Sequence, residues 1–383
     1  MTERYRIRDL FDLQMGKTPA RKESRYWTDC DIDWVSIGDL SGFGKYVGNT
    51  KEKINKTAIE ECHMKPVPRD TLIMSFKLSI GRTAITKKPV YTNEAIMAFL
   101  DKKLVPLDLD YLYHQFSTKD WMESSNLAVM GATLNKKTLG DKEIALPPIE
   151  EQQKVSQRLN RVKEQIRLLE SMLAKTDELV QSRFVEMFGV IDDQVSLDYY
   201  VRGFISGKSL VSNQESCNQV LKTSAVASNY FDSSQLKNLP VEYIPNPDHA
   251  VHKGDVIVNR KNTIQLVGST GYVWNDIENV YLSDLLWKAQ INETTCQPIF
   301  LWQLLVNESV HSRISNMATG ANSSMANITK KNLLGMLVPR VPIELQREFA
   351  TFVRQVESLK TDLNQQLDRL NTLYDSLTQR YFA

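Results

Sequence analysis

Pro148-Ile149-Glu150-Glu151-Gln152 opens a stretch that runs to Gly189, and within it Val155, Leu159, Val162, Ile166, Leu169, Leu173, Thr176 and Val180 recur in strict four-three alternation. That spacing puts them on one stripe of a helix whose other faces carry Lys, Arg, Glu and Gln, the pattern of a long helix seeking a partner helix. Pro148 is tolerated at the first turn, where its missing N–H is one of the unpaired donors anyway, and Glu150 and Glu151 suit the positive end of the dipole. A helix of roughly 35 residues would be about 50 Å long. Its stripe would be exposed unless something covered it.

The partner lies in the same chain. Stepping 194 positions on from the stripe gives Phe349, Val353, Val356, Lys360, Leu363, Leu367, Leu370 and Tyr374, and the approach repeats as Pro342-Ile343-Glu344-Leu345-Gln346. Lys360 is the one charged residue on the second stripe. The ends correspond too, Phe188 falling on Phe382. The chain therefore reads as a tandem duplication in which each copy is a globular part of roughly 145 residues followed by one long helix.

The globular parts repeat in order. Pro68-Arg69-Asp70 delivers the chain into the strand Thr71-Leu72-Ile73-Met74-Ser75, and Lys253-Gly254-Asp255 does the same for Val256-Ile257-Val258. Ile80-Gly81-Arg82-Thr83 is answered by Val267-Gly268-Ser269-Thr270, and Gly16-Lys17 by Gly207-Lys208. An amphipathic helix over Leu109 to Ser124, with Tyr113, Phe116 and Trp121 as core anchors, corresponds to a helix over Ile299 to Ile314. A polar loop with Gly131-Ala132 and Lys136-Lys137 corresponds to a longer one from Gly320-Ala321 to Lys330-Lys331. Short strands with one or two helices predict a mixed α/β domain, twice.

A chain of 383 residues with 42% hydrophobic content can build a core in each half. No apolar run reaches the length of a membrane helix, and Met1 to Phe11 lacks a signal peptide's apolar core. Cys30, Cys62, Cys217 and Cys296 stand far apart with no Cys-x-x-Cys pair, which points to a reducing cytoplasm and away from a disulfide framework. The net charge of +1 makes no global case for nucleic acid. Basic pairs do cluster locally, at Lys87-Lys88, Lys102-Lys103, Lys136-Lys137, Arg260-Lys261 and Lys330-Lys331.

Catalytic motifs are missing. Gly203-Phe204-Ile205-Ser206-Gly207-Lys208-Ser209 has three residues where a phosphate-wrapping Walker loop needs four. Pro245-Asn246-Pro247 lacks the second adjacent proline and the aromatic residue of an amine-methylating motif. His249 and His252, beside Asp248 and Asp255, have a spacing better suited to a solvated turn than to a metal site. The expected product of this chain is recognition, with chemistry done elsewhere.

The arrangement resembles the specificity subunit of type I restriction-modification systems. The likeness rests on Trp34-Val35-Ser36-Ile37-Gly38-Asp39-Leu40, the Gly81-Arg82 and Gly131-Ala132-Thr133 segments, and Leu146-Pro147-Pro148-Ile149-Glu150-Glu151-Gln152 before the long helix ending Phe184-Val185-Glu186-Met187-Phe188-Gly189. The repeated approach before two long helices is its specific part. The second copy departs at Val338-Pro339-Arg340-Val341-Pro342, where the apolar-Pro-Pro run is interrupted.

The resemblance implies an α+β fold with two mixed α/β target-recognition domains in tandem, residues 1–145 and 190–339. Two spacer helices, 146–189 and 340–383, would form an intramolecular antiparallel coiled coil. Each domain would read one half of a split, asymmetric target in double-stranded DNA. Two modification subunits would transfer methyl groups to adenine N6, and restriction subunits would translocate and cleave. No cofactor is then expected in this chain. S-adenosylmethionine, ATP and Mg would belong to the partners. The expected DNA-binding residues are Lys77, Arg82, Lys136 and Lys137 in the first domain and Lys208, Arg260, Lys261, Lys330 and Lys331 in the second, with Arg82 and Arg260 the better base readers because a guanidinium addresses guanine O6 and N7 together. The neutral net charge keeps one alternative open, a non-catalytic adaptor with two protein-binding domains on a helical spacer and no DNA contact.

Overall fold

A computed structural model describes residues 2–122, 134–318 and 325–382. The Gly131-Ala132-Thr133 and Gly320-Ala321 segments lie outside the described residues. The chain divides into two compact units, one formed by Met1–Glu170 with Gln365–Ala383 and the other by Ser171–Asn364. Each unit thus combines a globular part with a portion of both long helices.

In the first unit a four-stranded antiparallel sheet runs in the order Phe11–Met15, Ile96–Asp101, Leu72–Ser75, Thr83–Ile85. Its central register pairs Leu72 with Phe99 and Met74 with Met97. A three-stranded sheet, Glu52–Ile54, Ile32–Val35, Tyr91–Thr92, includes a parallel pair, Trp34 beside Tyr91. A two-stranded ribbon joins Glu3–Arg6 to Glu143–Leu146. Leu72, Met74, Met97 and Phe99 face one core with Leu112 and Phe116 of a helix, while Ile73, Ala84 and Ala98 face another, as alternation along a doubly covered sheet requires.

The second unit has the same strand orders. Its four-stranded sheet runs Val201–Ser206, Leu286–Ile291, Val256–Asn259, Thr270–Tyr272. Its three-stranded sheet runs Leu236–Asn238, Gln219–Leu221, Val280–Tyr281, again with its last pair parallel. The ribbon is Gln194–Ser196 with Leu337–Pro339. A further two-residue ribbon pairs Lys261–Asn262 with Ala326–Asn327.

Two helices differ from the sequence expectation. The helix begun at Leu109 ends at Thr118, because the chain turns back so that buried Trp121 donates its indole N–H to the Phe116 carbonyl at 2.9 Å. The stretch from Ile299 to Ile314 is two helices, Pro298–Val306 and Glu308–Met317. Asn307, in an extended conformation, ends the first and caps the second by accepting from the Ser309 N–H.

The long helices span Ile149–Phe188 and Ile343–Phe382, 40 residues each, or about 60 Å of helix, longer than the heptads alone indicated. In the first unit Arg158 meets Tyr381 and Lys163 lies over the Tyr374 ring; in the second Asp177 meets Lys360 and Arg183 meets Glu348. Numbering rises on one helix as it falls on the other, so the pairing is antiparallel within each unit. Val155, Leu159, Val162, Ile166, Leu169 and Val180 are buried on the first helix, and Phe349, Val353, Val356, Leu363 and Tyr374 on the second. Leu173, Leu367 and Leu370 are half-buried. Among the described residues no helix is long and apolar enough to cross a membrane.

The repeated Pro-Ile-Glu-x-Gln approach has a physical cause. Gln152 is buried, its amide donating to the Pro106 and Pro147 carbonyls while its Oε1 accepts the Asp108 N–H. Gln346 does the same with the Thr295 and Val341 carbonyls and the Gln297 N–H. Each glutamine therefore ties the start of a long helix to the start of a helix in its globular part. The aromatic contact at the end of each long helix repeats as well: Phe382 meets Tyr111 edge-on at 5.2 Å, and Phe188 meets Phe300 edge-on at 5.2 Å.

Candidate nucleic-acid interface

The Gly-Lys echo is a strand exit. A Cβ at Gly16 would stand 2.1 Å from the Thr92 carbonyl oxygen, and one at Gly207 1.8 Å from that of Leu282, so only glycine fits either place. The hydroxyls that follow, Thr18 and Ser209, bond the carboxylates of Glu94 and Asp284. The Gly203–Ser209 segment is thus the strand Val201–Ser206 and its exit, with no helix start to receive a phosphate. His249 sits in a one-turn helix, and Asp255 is spent internally: its carboxylate accepts the His252 N–H and lies 3.6 Å from the Lys288 ammonium. Burial raises the Asp255 pKa, although those partners oppose the shift. Among the described residues no group of His, Cys, Asp and Glu could hold a metal ion.

The expected basic residues are placed as follows. Lys77 and Arg82 are exposed in the loop between strands Leu72–Ser75 and Thr83–Ile85, the Lys77 ammonium 5.5 Å from the Phe76 ring. Lys136 and Lys137 are exposed in the first turn of helix Lys136–Gly140, whose cap is Asn135. Their counterparts 194 positions on, Lys330 and Lys331, start helix Lys330–Leu334 under the Thr329 cap. Both are exposed, but Lys330 donates to the Phe204 carbonyl at 2.6 Å and lies over the Trp287 ring, so part of its donor capacity is used within the domain. Lys208 is exposed at the strand exit.

Arg260 and Lys261 are half-buried where strand Val256–Asn259 passes into the Lys261–Asn262 ribbon. The Arg260 backbone is held at both ends, its N–H donating to the Leu285 carbonyl and its carbonyl accepting from Ile328. Its buried Nε has no partner. Arg260 thus stands on a fixed backbone with its Nε shielded from solvent and unpaired.

Each globular part is seated on its stretch of the long helices by buried polar groups, which the sequence did not single out. In the first unit His114 Nδ1 lies 2.9 Å from the Tyr374 hydroxyl and Nε2 2.9 Å from Asn160 Oδ1. Asn160 donates to Asp110, which pairs with Lys45 at 2.6 Å. Burial lowers the His114 pKa to about 4, helped by Lys45 and Lys163 and opposed by Asn160 and Asp110, so the imidazole is neutral. In the second unit the Tyr230 hydroxyl donates to buried Glu357 at 2.9 Å, and Lys360 bridges Glu357 and Asp177. Burial opposes the Lys360 charge, but bonds to the two carboxylates outweigh it and raise its pKa. The one charged residue on the stripe is thus matched by two acids.

The duplicated topology and the long helix pair meet in one group of known proteins. Residues 2–176 match the family described as Type I restriction modification DNA specificity domain. The amino-terminal globular part and the first part of the first long helix are thus similar to that family. The chain is 30% identical over 190 residues to the MjaIX specificity subunit of Methanocaldococcus jannaschii, covering 48% of this chain and 42% of that one. To the EcoprrI specificity subunit of Escherichia coli it is 26% identical over 115 residues, 29% of this chain and 28% of that one. The chain thus aligns with less than half the length of these curated relatives. Its fold is that of the S subunit from M. genitalium, with a TM-score of 0.57, 15% identity, and coverage of 100% of this chain and 96% of that one. It is also that of a chain solved in work on complex assembly and conformational transition of the type I R-M system, with a TM-score of 0.61, 17% identity, and coverage of 99% and 97%.

Proposed function

We propose that each globular part reads one half of a split, asymmetric sequence in double-stranded DNA, and that the chain directs two modification subunits to methylate adenine N6 there. Restriction subunits acting on unmodified sites complete the assembly, in the cytoplasm. S-adenosylmethionine, ATP and Mg belong to those partners. The observation that carries this reading is one scaffold built twice with different surfaces. Strand orders, glutamine ties and glycine exits repeat, while the basic loops differ in length and content. Two reading heads of common design would address two different half-sites in that way.

Partner docking has its own support. In the second unit Leu345 and Leu359 are exposed and Phe352 is half-buried at seven-residue intervals, and exposed Met172 and Leu179 are also seven apart. Such rows suit further helices.

A gel shift with pooled random duplex DNA, using the purified chain with its modification subunit, tests the reading. Sequence-selective retention is expected. Retention of protein partners with no DNA affinity would support an adaptor instead. Replacing Arg260 and Lys261 by Ala should weaken binding by about 1–3 kcal/mol and relax selectivity at one half-site only. Unchanged selectivity there would remove those residues from the interface.

A further inference from the structure

The amino-terminal strand of the first unit carries arginine at alternate positions, Arg4 and Arg6, and Arg8 follows in the next turn. Arg4 and Arg6 are exposed and make no ion pair or side-chain hydrogen bond among the described residues. With Lys119 and Lys142, the three arginines line an open groove of about 560 Å³. Asp120, Asp141 and Glu143 also line it, so five cations face three carboxylates, and Arg8 takes up Asp141. Helix Lys136–Gly140 packs against Arg8, since a Cβ at Gly140 would lie 3.2 Å from the Arg8 Cβ. The exposed Lys136 and Lys137 therefore adjoin the same basic field.

The second unit has the same ribbon without this charge. Arg4 pairs across the ribbon with Ala145 and Arg6 with Glu143; 194 positions on from those partners, Gln194 pairs with Pro339 and Ser196 with Leu337. The Ile7 N–H bonds the Lys142 carbonyl just as the Leu197 N–H bonds that of Met336. Gln194, Ser196 and Asp198 thus occupy the places of Arg4, Arg6 and Arg8. The scaffold does not need the arginines.

We propose that Arg4 and Arg6 grip the phosphate backbone of duplex DNA, giving the first unit a non-reading anchor that the second lacks. This rests on the DNA-reading function proposed above. Alternate strand residues stand about 6.8 Å apart on one face, and planar guanidinium forks bind phosphate bidentately. Two free forks in a row match a ligand that presents phosphates in a row. Such contacts fix position and carry no sequence information.

The test is DNA binding by the complex of full chain and modification subunit across a salt series, with Arg4→Gln/Arg6→Ser, the residues the second unit carries, against the wild type. Losing two phosphate contacts should make the slope of log affinity against log salt shallower by about 2 and weaken binding at least roughly tenfold at 0.1 M salt. The methylated sequence should not change. An Arg4→Lys/Arg6→Lys chain should keep the slope. A wild type that binds while the Gln/Ser chain matches it in slope and affinity overturns the proposal, as does a Gln/Ser chain that binds DNA normally but no longer assembles with its partner. A wild type without DNA affinity overturns both this proposal and the function on which it rests.

Discussion

The two units share a scaffold and differ in how their globular parts are fastened to the long helices. In the first the helix stretch offers Val155 and Thr378, and the buried polar link centres on a neutral imidazole, His114, held by Asn160 and Tyr374. At the equivalent places the second has Phe349 and Phe184, which pack with Phe188 and Phe300 at ring separations of 5.0 to 6.2 Å, and its polar link is ionic, through Glu357, Lys360 and Asp177. Strand order and backbone ties were thus retained while the chemistry at each seat diverged. A seat needs apolar burial and satisfied polar groups, and more than one set of side chains supplies them.

The largest separation should come from emptying the two equivalent core positions. Phe349→Ala should cost about 4 kcal/mol and Val155→Ala about 2 kcal/mol, read as lost hydrogen-exchange protection in residues 171–364 and 1–170 respectively. Equal losses would mean that the aromatic cluster adds nothing to the second seat.

Acid should act on the first seat. The unfolded chain protonates His114 near its ordinary pKa of 6.5, but the folded chain resists until about 4. The unfolded state therefore binds more protons inside that window, and stability falls as pH falls through it. The stabilisation is fully present above pH 6.5, and about 3 kcal/mol is lost by pH 4. His114→Gln should flatten this dependence in the first unit. A first unit whose acid response is unchanged by that substitution would contradict the neutral link.

The smallest contrast should be at the shared ties. Gln152→Ala and Gln346→Ala each strand two carbonyls and one N–H and should cost about 2 kcal/mol apiece, measured by urea unfolding. A twofold difference between them would show that the repeat is not equivalent in energy.

Legibility in the sequence followed the range of each interaction. The heptads, the 194-residue offset and the repeated strand order are local periodicities, and they delivered the helix pair and the duplication. The end of the helix at Thr118 and the break at Asn307 depend on an indole folding back and on one extended residue, which amphipathic spacing does not register. Lys330 reads as a surface charge beside Lys331, yet a carbonyl and a ring from strands more than 40 residues upstream claim it. The His114, Glu357 and Arg4 clusters join residues from segments far apart in sequence. Arg4 and Arg6 left a local trace, alternate arginines in Arg4-Tyr5-Arg6-Ile7-Arg8, but its meaning emerges only when the second ribbon supplies Gln194 and Ser196 for comparison.

The proposed function, two reading heads of one design on one DNA, makes a direct prediction about the methylated sequence. Methylation-sensitive long-read sequencing of DNA from cells carrying the intact system tests it, together with a chain bearing four extra residues, about one helical turn, in each long helix. The account predicts methylated adenines within two short defined half-sites separated by a gap of unspecified bases, and a gap longer by one or two base pairs with the extended helices. A single uninterrupted motif, or a gap that ignores helix length, would contradict it.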